Sequence, residues 1–254
     1  MNSADPAREA AFLVAVETHS VADLRGVLAA GLSATAPLQG KSPLQWLLEM
    51  YMRSDQFAAC VQLLLDHGAA IDDPGLAAVL LDDAAALRAA LTADQGLLRR
   101  RFDVVAAFTP LLGASLLHIA AEYGHRRVTA VLLAMGADVE AGAALDGQGG
   151  DGQTALFHTV SSLLDHGAAV MNLLLAAGAR IDVRLPMLTW GRGQAWETTL
   201  YDVTPISYCQ SGLLPQMHRR EGDIYRNLGA LLAAGKRAAP SLANVPNRYL
   251  LPRR

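Results

Sequence analysis

The sequence has little of what marks a specialised chain. Of its 254 residues two are cysteines, Cys60 and Cys209, far apart and too few to form a disulfide framework. That points to a reducing compartment. Aromatic residues make up 6% and charged residues 18%. Strand formers are sparse, which argues against an all-β sandwich or barrel. No apolar run reaches the roughly 18 residues that a membrane span needs. The most apolar stretch, Gly167 to Ala179, is short and carries Asn172. The start, Met1 to Pro6, has no basic stretch, and Glu9 and Glu17 interrupt the apolar residues that follow, so no secretory signal is read there. A net charge of -3 speaks against a dedicated nucleic-acid binder. The expected protein is cytoplasmic, with no membrane and no nucleic acid among its partners.

What the chain does have is alanine and leucine, in a composition that is 52% hydrophobic and excludes a disordered chain. Side chains that lose little rotamer freedom in a helix suggest many short, closely packed helices. One phrase recurs: an apolar run, then Gly, then Ala and an acidic residue. It ends the segments Val61 to Asp72, Val131 to Glu140 and Leu173 to Asp182, with weaker copies at Val27 to Ser33 and Leu231 to Lys236. Each glycine stands where a helix should stop, because glycine alone takes the left-handed conformation without a steric penalty. Matching start signals lie upstream at Gly40 to Gln45, Gly113 to His118, Gly152 to Phe157 and Asp202 to Ser207. In each a Ser or Thr is placed to cap a helix. Pro43 and Pro205 occupy the first helical position, where a missing N–H is harmless.

These phrases resemble the ankyrin repeat, with its Thr-Pro-Leu-His start, a glycine between two helices and a Leu-Leu-x-x-Gly-Ala end. The best copy runs from Ser115 to Val139, where Ala120, Ala121, Gly124, His125, Val128, Leu132, Leu133, Gly136 and Ala137 fall on family positions. The resemblance implies an all-α solenoid of about six helix-turn-helix repeats. Residues 1–38 read as an N-terminal capping repeat, with helices at Glu9 to Thr18 and Ala22 to Ala30. Residues 39–237 read as ankyrin repeats, including a divergent unit with helices Gly75 to Leu81 and Ala84 to Leu91. Residues 238–254 read as a basic tail. Stop glycines at 31, 68, 136, 178 and 235 are separated by 37, 68, 42 and 57 residues, against a family period of about 33. The 68 hides one cryptic repeat. The remaining excess reports insertions at 102–112, 140–152 and 183–202, of which the second is Gly-rich and reads as a flexible loop.

No Cys-x-x-Cys, His-x-x-x-His or His-Glu-x-x-His spacing occurs, so neither a metal nor another cofactor is expected. Hydrolase-elbow and phosphate-loop motifs are absent too, and no catalytic residue is nominated. The resemblance gives His118 and His125 structural roles at the start motif and the inter-helix turn. His158, one residue past the motif position, receives none. Cys60 and Cys209 read as core residues. Residues 203–254 carry eight Lys/Arg against Glu221 and Asp223, a net of +6, which fits a polar C-terminal cap or a steering patch.

The sharpest functional candidates are Trp190, Arg192, Trp196 and Tyr201 in the third insertion, since Trp, Tyr and Arg dominate binding hot spots. Two readings stand beside each other: these residues contact a partner protein, or the tryptophans fold back and plug the core. The expected function is a non-enzymatic protein-binding scaffold, monomeric, acting through its inserted loops and concave face. The sequence looks like bacterial ankyrin proteins, some of which resemble accessory, immunity or chaperone-like partners of other proteins. Two alternatives are a host-directed secreted effector, with the basic tail as export signal, and an enzyme with a site near 183–202.

Overall fold

In the computed structural model, residues 6–237 are described; the tail at 238–254, with the export role considered for it, lies outside them. The helices come in successive pairs. The first is α1 (Pro6–Glu17) with α2 (Val21–Ala29), and the second α3 (Pro43–Glu49) with α4 (Phe57–Asp66). The third is α5 (Pro74–Leu80) with α6 (Ala84–Ala93), and the fourth α7 (Leu116–Glu122) with α8 (Arg126–Ala134). In the fifth, a 3-10 turn at Ala155–His158 replaces the first helix and packs with α9 (Ala168–Ala176). The sixth joins α10 (Pro205–Ser211) to α11 (Glu221–Ala234).

Stacking follows chain order. α1 packs on α3 and α2 on α4; α5 packs on α7 and α6 on α8. α7 then meets the 155–158 turn and α8 meets α9; that turn meets α10, and α9 meets α11. One continuous apolar core runs between the layers, from Phe12 and Leu24 through Leu64, Leu87 and Ile119 to Leu174 and Leu231. Among the described residues, no helix is long and apolar enough to cross a membrane.

Local chemistry explains the punctuation. Gly31, Gly68, Gly136 and Gly178 all take φ between +89° and +98°, the conformation their place after a helix requires. Gly235 does not: the left-handed residue there is Lys236, and Gly235 instead admits Ile181, whose Cδ1 would lie 2.2 Å from an added Cβ. Ser42 forms a reciprocal cap with Gln45, and Thr204 with Ser207. Ser115 is bonded in the same way to His118, whose Nδ1 accepts from the Ser115 N–H at 3.2 Å. The His118 Nε2–H therefore donates to the Gln153 carbonyl at 2.9 Å.

The fold is not all-α. Two antiparallel hairpins occupy two of the insertions: β1 (Phe102–Val104) with β2 (Leu111–Ala114), and β3 (Leu185–Trp190) with β4 (Thr198–Val203). In the first, Phe102 faces Ala114 and Val104 faces Leu111 across an irregularity. In the second the register is unbroken from Leu185 opposite Val203 to Trp190 opposite Thr198. The reason for the departure is that these segments lie outside the repeat phrase, and their backbone polar groups pair with each other across short turns.

Candidate functional site

The two hairpins meet beside the last helical pairs and form a cleft there. The loop between β1 and β2 carries Phe108, whose carbonyl accepts from the Gly191 N–H at 3.0 Å. This bond ties the tip of one insertion to the turn of the other. Phe108 stacks on Trp190, with centroids 5.6 Å apart and planes 8° from parallel. Trp196 leans on both rings, 4.5 Å from Trp190 and 6.3 Å from Phe108. Met217 and Arg219, in the segment between α10 and α11, complete a cleft of about 580 Å³ with Tyr51 at its edge.

The four residues nominated from sequence part company here. Trp190 is buried at 7% exposure, and Trp196 is 42% exposed on the cleft wall. Arg192 turns away and pairs with Asp151 at 2.9 Å and Asp146 at 3.1 Å. Asp146 also accepts from the Gln148 and Gly150 amides, so the Gly-rich 140–152 insertion is pinned to the turn between β3 and β4 through this clamp. Asp151 adds a backbone bond from its N–H to Met187. Tyr201 stands on β4, 72% exposed and outside the cleft lining.

Gly191 makes the aromatic wall possible. Its φ is +66°, and a Cβ there would sit 1.8 Å from the Trp196 ring. Gly191→Ala is expected to cost about 1–3 kcal/mol through backbone strain and to push Trp196 off Trp190. Denaturant unfolding and a red-shifted tryptophan emission would register both effects; unchanged stability and emission would refute the packing described.

Beneath the cleft lies a buried charged cluster. The Arg53 guanidinium is ion-paired to Glu122 Oε1, and its Nε donates to the Glu122 carbonyl at 3.2 Å. Its Nη1 donates to Met50 and Met52 carbonyls. The other Glu122 oxygen accepts from His158 Nδ1 at 2.9 Å. Burial alone would push the Glu122 carboxyl up, but Arg53 and His158 together outweigh it and hold the group below the usual range. Arg53 lies 4.9 Å from the Tyr123 ring centroid and 5.7 Å from that of Phe108. The cluster thus braces the floor on which Phe108 rests.

His125 and the two cysteines sit in the interior. The His125 Nδ1–H donates to the Val79 carbonyl at 2.7 Å. Burial pushes the thiols of Cys60 and Cys209 up to about 11 and about 12. Ser161 Oγ and His158 Nε2 both line a recess below the cleft, and neither has a hydrogen-bond partner, so they do not form a nucleophile–base pair. Among the described residues, no three His, Cys, Asp or Glu side chains converge on a metal position.

Phe108, Met217 and Arg219 were not singled out as site residues from sequence. Phe108 does lie in the first insertion, and Arg219 in the basic C-terminal segment, so both were within reach of those signals. What brings them to Trp190 is pairing across many residues, which no local pattern encodes.

Stacked helical pairs with hairpins on inserted loops define a helical-repeat protein. Residues 112–143, which contain α7 and α8, match the family model of the ankyrin repeat, so the chain carries an ankyrin repeat at that place. No curated protein matches it. Among solved structures, a crystallised ankyrin repeat domain from Acinetobacter baumannii is similar over 88% of this chain and 97% of its own length, with 20% identity and a TM-score of 0.43. Ankyrin repeats are generally non-catalytic modules for protein–protein interaction.

Proposed function

We propose that this protein is a binding module whose array of about six repeats presents the Phe108–Trp190–Trp196 cleft to a segment of another protein. The observation that carries this reading is Trp196: a large indole left 42% exposed against two ordered aromatic rings. Covering it removes apolar area from water while ordering very little, since its neighbours are already fixed. Tyr201, on the outer face of the same hairpin, extends the surface a partner would meet. Trp190 supports the contact from below, which joins the plugging and docking readings in one aromatic stack. Arg192 serves by holding the two insertions together through Asp146 and Asp151. Accessory, immunity-type or scaffold roles are specific uses such a module would suit.

The test is affinity capture with the intact chain, followed by mass spectrometry and measurement of the affinity for the captured protein. Replacing Trp196 and Tyr201 by Ala should weaken that affinity about thirtyfold or more, as expected for hot-spot aromatics worth 2 kcal/mol or above. Helical circular dichroism should be unchanged, because both side chains lie outside the repeat core. Equal affinity in the native and doubly substituted chains would sink the proposal.

A further inference from the structure

Arg219 lines the apolar cleft without a counter-charge. Its Nε donates to the Ser161 carbonyl at 2.7 Å and its Nη1 to the Met217 carbonyl at 2.6 Å. The guanidinium lies 4.9 Å from the Phe108 ring centroid. Among the described residues it forms no ion pair, whereas Arg53 beneath the cleft and Arg192 in the β3–β4 turn do. The carboxylate in this region, Glu122, is committed to Arg53 and His158. Two of the five N–H donors of Arg219 are used, which leaves three. Ser161 Oγ, buried and without a partner, stands in the recess beside it.

A half-buried guanidinium bonded only to carbonyls and a ring face pays desolvation that no direct ion pair recovers. Burial accordingly moves its pKa below that of an ordinary arginine, with Arg53 adding to the shift against Tyr208 and Glu122. A single negative charge arriving in this cleft would meet its complement in a medium of reduced dielectric. A basic segment would be repelled. A phosphate dianion would bring a second charge for which the cleft holds no second arginine, and its desolvation between apolar walls would cost more than that of a carboxylate. Carboxylate geometry also matches the fork that a guanidinium presents.

We propose that the cleft takes the side-chain carboxylate of an Asp or Glu on a partner-protein segment, ion-paired to Arg219, with a neighbouring bulky apolar side chain of that segment seated against Trp196 and Met217. This rests on the docking reading above and specifies its ligand. The two elements are separable: the aromatic wall supplies area, and Arg219 supplies sign.

Random peptides displayed on phage can be selected against the intact chain, and in parallel against Arg219→Met and Arg219→Lys. The native chain should enrich segments with Asp or Glu within two positions of Leu, Phe or Trp. Arg219→Met should keep the apolar preference and lose the acidic one, while Arg219→Lys retains part of it. A synthetic copy of the best peptide with its acidic residue changed to the amide should bind the native chain at least tenfold more weakly, read by tryptophan fluorescence. That arm needs no variant to fold. Enrichment of apolar segments without an acid, equal binding of the amide peptide, or a preference for a chain-terminal carboxylate would overturn this inference and leave docking intact. Absence of any enriched segment would overturn both.

Discussion

Arg53→Met is expected to destabilise the protein by about 3–5 kcal/mol, the range for stranding one member of a buried ion pair. Arg53 and Glu122 are 69 positions apart in sequence, and their side chains are 2% and 4% exposed. Without the guanidinium, Glu122 keeps one bond, to His158, and must either remain charged in a poor solvent or take up a proton. The carbonyls of Met50 and Met52 lose their donor at the same time. Arg53→Lys should rescue little, because an ammonium cannot reproduce a fork that reaches three carbonyls and a carboxylate at once. The double variant Arg53→Met, Glu122→Gln removes the stranded charge and should recover about half of the loss. Urea unfolding of the single and double variants measures this directly. A single-variant cost below about 1 kcal/mol, or a double variant no better than the single, would show that the cluster does not hold the layers together. Because Arg53 also braces Phe108, partner affinity should fall with stability in the single variant.

This pair also marks where sequence reading stops. The punctuation of the repeat was legible because its causes are local. A glycine at φ near +90° and a serine three residues before its cap partner act within a few residues, so Gly68, Gly136 and Ser42 announce themselves. Helices placed at Gly75 to Leu81 and Ala84 to Leu91 lie at Pro74–Leu80 and Ala84–Ala93 for the same reason. The hairpins are a different case. Leu185 to Trp190 contains Pro186 and reads poorly as a strand, and only its pairing with Thr198 to Val203 makes it one. The turn glycines Gly191 and Gly193 were visible, but they look the same in a hairpin and in an open loop. The aromatic scarcity did point to Trp190 and Trp196. It could not say that Phe108, 82 positions before Trp190, lies parallel to it. Nor could composition tell Arg192, held in a clamp, from Arg219, left without an acid.

Stability should fall steeply as pH drops from about 6.5 toward 4. Burial is the first cause in each of three histidines: it lowers His19 to about 4, His125 to about 4 and His118 to about 3. An unfolded chain protonates these rings near 6.5, whereas the native chain resists until 3 to 4. Between those limits the unfolded state binds more protons, so stability rises with pH there and is lost as pH falls. Each ring contributes a slope approaching about 1.4 kcal/mol per pH unit once well below 6.5. Glu122 adds its own loss at the acid end, since its carboxyl is held low in the native state and must be protonated on the way down. His118 allows the sharpest check. Its Nδ1 accepts from the Ser115 N–H, so a proton there breaks the cap that starts α7. Gln45 already fills the same position in the Ser42 cap, which shows that glutamine suits the geometry. His118→Gln should therefore keep the helix start and remove one of the four histidines that burial lowers, the fourth being His166, reducing the slope between pH 6.5 and 4 by about a quarter. Urea midpoints at pH 7.5, 6, 5 and 4.5 for both chains decide the matter. A flat profile in the native chain, or an unchanged slope in His118→Gln, would mean that these rings do not enter the interior uncharged.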